Sequence, residues 1–331
     1  MRTGKRLGVI GCGGHALQSH LKFLDGAVVA AIYDPSGESR RKALELIGGY
    51  VAVCETPEEM MGMYLDAVLI ISPDDTHPEL LAMAIAAGKH VLCEKPLAIT
   101  PEGLVVVDGA LRDAEAKGLV VASCHPRRDG RTIDLPYGWT RANLAKLVAR
   151  FGALKRVGLT SNYPRPTMAW KYDRSFLLDK FVHDVDYLRY LLGVHPFQAE
   201  RIFDSHDHYE VEGSILVSGE LVRFNCLGMR LHGAKGEFVE TITLNFEHGE
   251  CVVYVKTGEV RLRDRRTGGQ ETVHISPMDD EGYDRIFRGV MSDFIIALNG
   301  GAALHTIDDL RVNTASAVAL AGPTGIYRYE P

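Results

Sequence analysis

Three side chains in this sequence could share the work of moving a proton at one carbon. Asp179 and His183 are four residues apart in a segment of helical periodicity, so they lie on one face. A carboxylate one turn before an imidazole can fix its tautomer and raise its basicity. Lys95 ends the run Gly88-Lys89-His90-Val91-Leu92-Cys93-Glu94-Lys95, just before Pro96. A lysine at the end of a buried strand has a partly desolvated amine, able to hold developing oxygen charge or relay a proton. With His183 as base, Asp179 orienting substrate or His183, and Lys95 on the oxygen, the set suits a secondary alcohol, provided that something accepts the hydride.

That acceptor is implied by the first strand-to-helix turn. Leu7-Gly8-Val9-Ile10 reads as a buried strand, and Gly11-x-Gly13-x-x-Ala16 follows it at the opening of a helix. Gly11 allows the tight turn, Gly13 lets the backbone approach a pyrophosphate, and Ala16 permits close helix–sheet packing. Gly11, Cys12, Gly13, Gly14 and His15 are therefore candidate cofactor-binding residues, at a helix N-terminus that favours phosphate charge. Asp34 ends the second strand, where a carboxylate accepts from a ribose 2′-hydroxyl and repels a 2′-phosphate. The pattern favours NAD over NADP. Arg40 and Arg41 either reach a 2′-phosphate or lie on a solvated helix face.

The elements that must carry these residues alternate through residue 124. Strands are expected over 27–34, 50–54, 67–71, 90–93 and 119–124, with helices over 15–25, 36–47, 78–87 and 100–117 and another starting at Thr56-Pro57. Such alternation predicts a parallel, doubly wound sheet that binds ligands at the carboxyl ends of its strands. From 154 to 275 the strands show period-two patterning and fit an antiparallel sheet. Helices are read over 136–151, 177–192, 284–298 and 307–320. In the third-last of these, Leu177, Phe181, Val185, Leu188 and Leu192 form the apolar side. Asp186 either pairs with a base such as Arg189 or joins the chemistry. The fold class is α/β, with a dinucleotide-binding Rossmann domain over 1–125 and an α+β domain with an open, mostly antiparallel sheet over 126–331.

Ile71-Ser72-Pro73-Asp74-Asp75-Thr76-His77, followed by Ala87-Gly88-Lys89-His90-Val91-Leu92-Cys93-Glu94-Lys95-Pro96-Leu97-Ala98, resembles the glucose-fructose oxidoreductase / inositol dehydrogenase (Gfo/Idh/MocA) family. The run from Asp179 to Asp186, with Tyr187-Leu188-Arg189-Tyr190-Leu191-Leu192-Gly193 after it, is similar to that family's second signature. The resemblance implies a Rossmann domain, an open-sheet domain that binds substrate and pairs subunits into a homodimer or homotetramer, and late helices packed back near the first domain. It implies NAD or NADP and usually a sugar, amino sugar or cyclitol substrate. By the match, Ser72 and His77 lie near the adenosine and ribose, Glu94 touches the nicotinamide ribose, and Lys95 sits beside the nicotinamide and the reacting carbon. The family usually has a glycine pair before the second signature and a glycine within it, where this chain has Arg174-Ser175-Phe176 and Phe181, so a narrowed or reshaped pocket is expected. Lys180 beside Asp179 is shared with some members, and a few use NAD in redox-neutral glycoside chemistry. That alternative stays open, as does a non-catalytic sensor on the same fold.

Between residues 125 and 156 there are eight Lys/Arg against two acids. Arg127 and Arg128, just past a strand end, either clamp a carboxylate or phosphate on the substrate or lie on a solvated basic face. Trp170 and Lys171 are candidates to line the sugar side, with core packing the competing reading for Trp170. Ser205-His206-Asp207-His208 has no further ligands at standard spacing, so no metal is expected. Six scattered cysteines without C-x-x-C spacing read as small core residues in a reducing compartment. The 331 residues are 46% hydrophobic and carry a net charge of -6, which leaves room for two domains and argues against a broad nucleic-acid surface. No apolar run approaches the roughly 18 residues of a membrane span. The expectation is a cytoplasmic enzyme acting on a small sugar or cyclitol, acidic if the arginines clamp it.

Overall fold

A computed structural model describes residues 4–128, 131–164, 175–193, 197–205, 207–231, 239–303 and 305–321. The chain forms two compact units. Residues 1–126 and 286–318 make the first, and 127–285 with 319–331 the second.

The first unit contains strands β1 (Lys5–Ile10), β2 (Ala27–Tyr33), β3 (Ala52–Val53), β4 (Ala67–Ile70), β5 (His90–Cys93) and β6 (Val121–Ser123). Between them run helices α1 (Gly14–Ser19), α2 (Gly37–Ile47), α3 (Pro57–Met61), α4 (His77–Ala86) and α5 (Pro101–Lys117). The sheet order is β3-β2-β1-β4-β5-β6, and every pairing is parallel. All four residues of β4 are buried, as a strand covered on both faces requires. Helix starts follow local chemistry. Thr56 and Thr100 accept from Glu59 N and Gly103 N, each with proline in the first turn, and Ser36 accepts from Ser39 N.

The helix expected over 15–25 ends at Ser19. Leu21 N donates to Ala16 O at 2.9 Å, a widened turn that swings His20, Leu21 and Phe23 into the interior.

The second unit contains α6 (Pro136–Phe151), β7 (Leu154–Pro164), α7 (Phe176–Leu192), β8 (Phe197–Asp204), β9 (His208–Val217), β10 (Glu220–Leu231), β11 (Val239–Phe246), β12 (Gly249–Tyr254), β13 (Glu259–Asp264) and β14 (Gln270–His274). Its sheet runs β14-β13-β12-β11-β7-β10-β9-β8. The β7–β10 pair is parallel and all other pairs are antiparallel. Burial alternates along β10, β11 and β12, so one face is core. Helix α7 lies against β9 and β10 on that side.

Two late helices follow among the described residues, α8 (Asp280–Leu298) and α9 (Ile307–Ala321). From residue 286 onward α8 belongs to the first unit. There Val290, Met291, Phe294, Ile295 and Leu298 share one buried cluster with Leu7, Val9, Ile32, Leu69 and Leu92 of the parallel sheet.

Candidate active site

In the parallel sheet the strand order reverses between β1 and β4, so the loops after these strands flank the crevice where such sheets bind ligands. Gly11 has φ +91°, and a Cβ there would lie 2.4 Å from Ile71 O, just past the end of β4. Only glycine allows these two strand ends to approach. Gly13 and Gly14 face open space, with no atom within 4 Å of an added Cβ. A phosphate could approach that backbone closely. Cys12 N donates to Asp34 Oδ2 at 2.7 Å and Ser36 N to Oδ1 at 2.8 Å, fixing the carboxylate at the end of β2. Arg40 Nη1 donates to Asp34 O at 2.8 Å, and Arg41 pairs with Glu45 along α2.

Past β4, Ser72 Oγ shares a hydrogen bond of 2.7 Å with Thr76 Oγ1. His77 is buried, with Nδ1 2.7 Å from Pro96 O and Nε2 2.9 Å from Ser72 O. Burial pushes its pKa down against the pull of these carbonyls, so the neutral ring donates to one of them. His77 therefore braces the loop after β4 against the Lys95-Pro96 segment. Both of its ring nitrogens face backbone carbonyls.

Glu94 follows β5. Its Oε1 accepts from His15 Nε2 at 3.0 Å and His20 Nε2 at 2.7 Å, and Oε2 accepts from Lys95 N at 3.1 Å. Burial alone would push this carboxyl up. The charges and hydrogen bonds of His15 and His20 outweigh it and hold Glu94 well below the usual carboxylate range. Sequence reasoning gave Glu94 a cofactor role but missed His20, because nothing in a five-residue His–His spacing points to a residue 74 positions away. Lys95 itself is half-buried. All six cysteines are buried free thiols. Burial pushes Cys12 up to about 12, and Cys93 and Cys124 well above the ordinary thiol value, which argues against a thiolate nucleophile.

In the second unit, α7 starts at Ser175, whose Oγ accepts from Leu178 N at 3.2 Å and donates to Asp204 Oδ2 at 2.6 Å. Leu177, Phe181, Val185 and Leu188 are all fully buried. Asp179, Lys180 and His183 are partly exposed, and Lys180 Nζ lies 3.6 Å from Asp179 Oδ2. Phe176 and Phe181 pack edge-on to Tyr209, at 5.3 and 6.1 Å between centroids. An added Cβ at Gly228 would strike that tyrosine ring at 2.1 Å, so the sheet leaves room for it. These bulky departures from the family pattern fill the helix–sheet core, where the sequence had suggested a narrowed pocket.

The arginines also depart from both sequence readings. Arg127 is buried and pairs with Asp184 and Glu240, while Arg128 Nε donates to Asp186 Oδ1 at 2.8 Å. Tyr209 OH donates to Asp184 Oδ2 at 2.6 Å. Neither arginine lies on a solvated face: the fork of Arg127 is engaged by Asp184 and Glu240, and Arg128 Nε by Asp186. The substrate clamp is therefore not carried forward. Asp186 is one of these structural partners, held by Arg128. Trp170 and Lys171 lie outside the described residues, as does His206. Ser205 and His208 close the β8–β9 turn through Ser205 N to His208 O at 2.8 Å and His208 N to Ser205 Oγ at 3.1 Å.

The geometry of the first unit, an open glycine turn with an acid fixed at the next strand end, defines an NAD-binding domain. Residues 5–122 match the model of an oxidoreductase family with an NAD-binding Rossmann fold. That matched segment, a little over a third of the chain, is similar to the Gfo/Idh/MocA family. It is 29% identical to a myo-inositol 2-dehydrogenase of Thermotoga maritima over 65% of this chain and 60% of the relative, less than two thirds of that protein's length. It is 27% identical to an inositol 2-dehydrogenase of Klebsiella pneumoniae subsp. pneumoniae over 78% of this chain and 73% of the relative. In fold it is similar to a UDP-N-acetylglucosamine 3-dehydrogenase of Acidithiobacillus ferrooxidans, with TM-score 0.75 and 20% identity over 98% of each chain. It is also similar to a levoglucosan dehydrogenase in complex with NADH and levoglucosan, with TM-score 0.78 and 18% identity over 97% of each chain. At these identities the structural likeness is one of fold.

Proposed function

We propose that this protein is an NAD-dependent dehydrogenase of a secondary alcohol on a sugar, amino sugar or cyclitol. The observation that carries the reading is the carboxyl edge of the parallel sheet, which bears an open glycine turn, a fixed acid after β2 and half-buried Lys95 after β5. Gly11, Cys12, Gly13, Gly14 and His15 would hold the cofactor through the turn, Asp34 through the adenosine ribose, and Glu94 and Lys95 on the nicotinamide side. The bound nicotinamide supplies a two-electron hydride acceptor. His183 takes the hydroxyl proton on Nδ1 or Nε2. Asp179, one turn earlier on the same face of α7, orients it or the substrate. Lys95 Nζ holds the oxygen and stabilises its developing charge. The small-molecule substrate class is supported by the inositol dehydrogenase relatives.

The test is NADH formation across a panel of sugars, amino sugars and cyclitols, followed by nicotinamide absorbance, for the wild type and Lys95→Ala. Turnover with NAD that falls by about a thousand-fold or more in Lys95→Ala, with cofactor still bound, is the expected result. Tight cofactor binding without net NADH from any substrate would move the reading to redox-neutral chemistry.

A further inference from the structure

The first unit brings together three donors that the dehydrogenase reading leaves without a joint role, although it places His15 and Glu94 at the cofactor edge. His15 Nε2 and His20 Nε2 converge on one oxygen, Glu94 Oε1, at 3.0 and 2.7 Å. The three ligand atoms all lie within 4.8 Å of one another. His20 and Glu94 are buried, whereas the His15 side chain is 52% exposed. We propose that His15, His20 and Glu94 form a binding site for a divalent transition-metal ion of the zinc class, held by two imidazole Nε2 atoms and the carboxylate. The remaining positions would be open to water. Because His15 and Glu94 are shared with the proposed cofactor edge, the ion would compete with NAD there, and its binding is read on protein without added NAD.

The donor set carries the argument. Two neutral imidazoles and a carboxylate suit Zn²⁺, Co²⁺ and Ni²⁺ and are poor ligands for Ca²⁺ or Mg²⁺, which take mainly oxygen. Bond lengths of about 2.0–2.1 Å place tetrahedral ligand atoms about 3.3 Å apart, so the trio must open only slightly to admit an ion. His15, on the exposed side, is the ring with freedom to give that room. Phe287 packs edge-on to both histidine rings, at 5.7 and 5.9 Å between centroids, and limits how far they can swing.

The protons can be followed. Without an ion, each ring can donate its Nε2–H to Glu94. With an ion, Nε2 presents a lone pair and the neutral ring carries its proton on Nδ1. For His15 that proton has an acceptor, since Nδ1 lies 3.3 Å from Ser19 Oγ, the outer partner that a metal-bound imidazole commonly has. For His20, Nδ1 is buried with no hydrogen-bond partner. That cost points to an exchangeable ion rather than a permanent structural one.

The test is calorimetric titration of the untagged full chain with Zn²⁺, with Co²⁺ absorption reporting coordination number. One ion per chain is expected, with Kd on the order of 1–100 µM. His15→Ala and the nearly isosteric Glu94→Gln should each weaken it by about ten-fold or more. His248→Ala, at a partly exposed histidine elsewhere, should bind as the wild type does. Wild-type binding no tighter than that of Glu94→Gln, or a single site indifferent to His15→Ala, would overturn the proposal. His15 is exposed, so its variant should fold and leave either outcome readable.

Discussion

Asp34 carries two duties that a substitution can separate. Its carboxylate accepts from Cys12 N and Ser36 N, and under the NAD reading it repels a 2′-phosphate. Asp34→Asn removes the charge yet keeps one acceptor oxygen. Stability should fall by about 1–2 kcal/mol, because one backbone amide loses its partner. The ratio of kcat/KM for NADP over NAD should rise by about ten-fold or more, and an unchanged ratio would take cofactor choice away from Asp34. Glu94 gives a pH signature. Its folded pKa lies well below its ordinary value of 4.5, so its stabilisation is complete above that value and is lost as pH falls through the folded pKa. Glu94→Gln should therefore lower the melting temperature at neutral pH and flatten the acid limb of a stability profile measured by calorimetry. The glycine turn and Asp34 were legible in the sequence because their local backbone and charge requirements are strict. The partners of Glu94, Arg127 and Arg128 were not, since those contacts close over 57 to 113 residues and leave no local spacing to read.

At the scale of elements, α7 is set by paired charges on its buried side. Arg127 faces two carboxylates, Asp184 and Glu240, in the helix–sheet interior. Burial pushes the Asp184 carboxyl up, against the pull of Arg127 and Tyr209, and Glu240 adds to the rise. The two ways of breaking the cluster are therefore unequal. Arg127→Met leaves two acids buried without their cation and should cost about 3–5 kcal/mol in denaturant unfolding. Asp184→Asn leaves the Arg127–Glu240 pair intact and should cost clearly less. Equal costs would mean that the arginine does not neutralise the pair. Lys155→Ala, at an exposed pair with Glu220, should stay within about 1 kcal/mol of wild type. Most elements were legible from their apolar periods, because each buries one face. Strand β14 is the weakest of these signals, because four of its five residues are exposed at the sheet edge and carry no alternation. Helix α1 was read too long because its apolar pattern continues through Leu21 and Phe23, which are buried by the turn after Ser19.

At the scale of the whole chain, the first unit is assembled from two stretches separated by residues 127–285 of the second unit. Composition and local pattern cannot reveal this, because α8 reads simply as an amphipathic helix wherever it docks. Its apolar stripe completes the core beneath the cofactor edge, where Phe294 is 2% exposed among Leu7, Val9, Leu69 and Leu92. The parallel sheet therefore depends on residues more than 150 positions beyond its last strand. Phe294→Ala should lower stability by about 3–5 kcal/mol, through the cavity left in that cluster. The loss should fall on the first unit, so NAD binding, read by fluorescence quenching on titration, should fail at a lower temperature than in the wild type. A chain stopped after Arg285 removes the whole stripe. It should bind a hydrophobic dye and lose cooperative unfolding of the first unit, because one apolar face of the sheet is left to water. Cooperative unfolding and cofactor binding retained by that shortened chain would mean that residues 7–124 bury a sufficient core unaided.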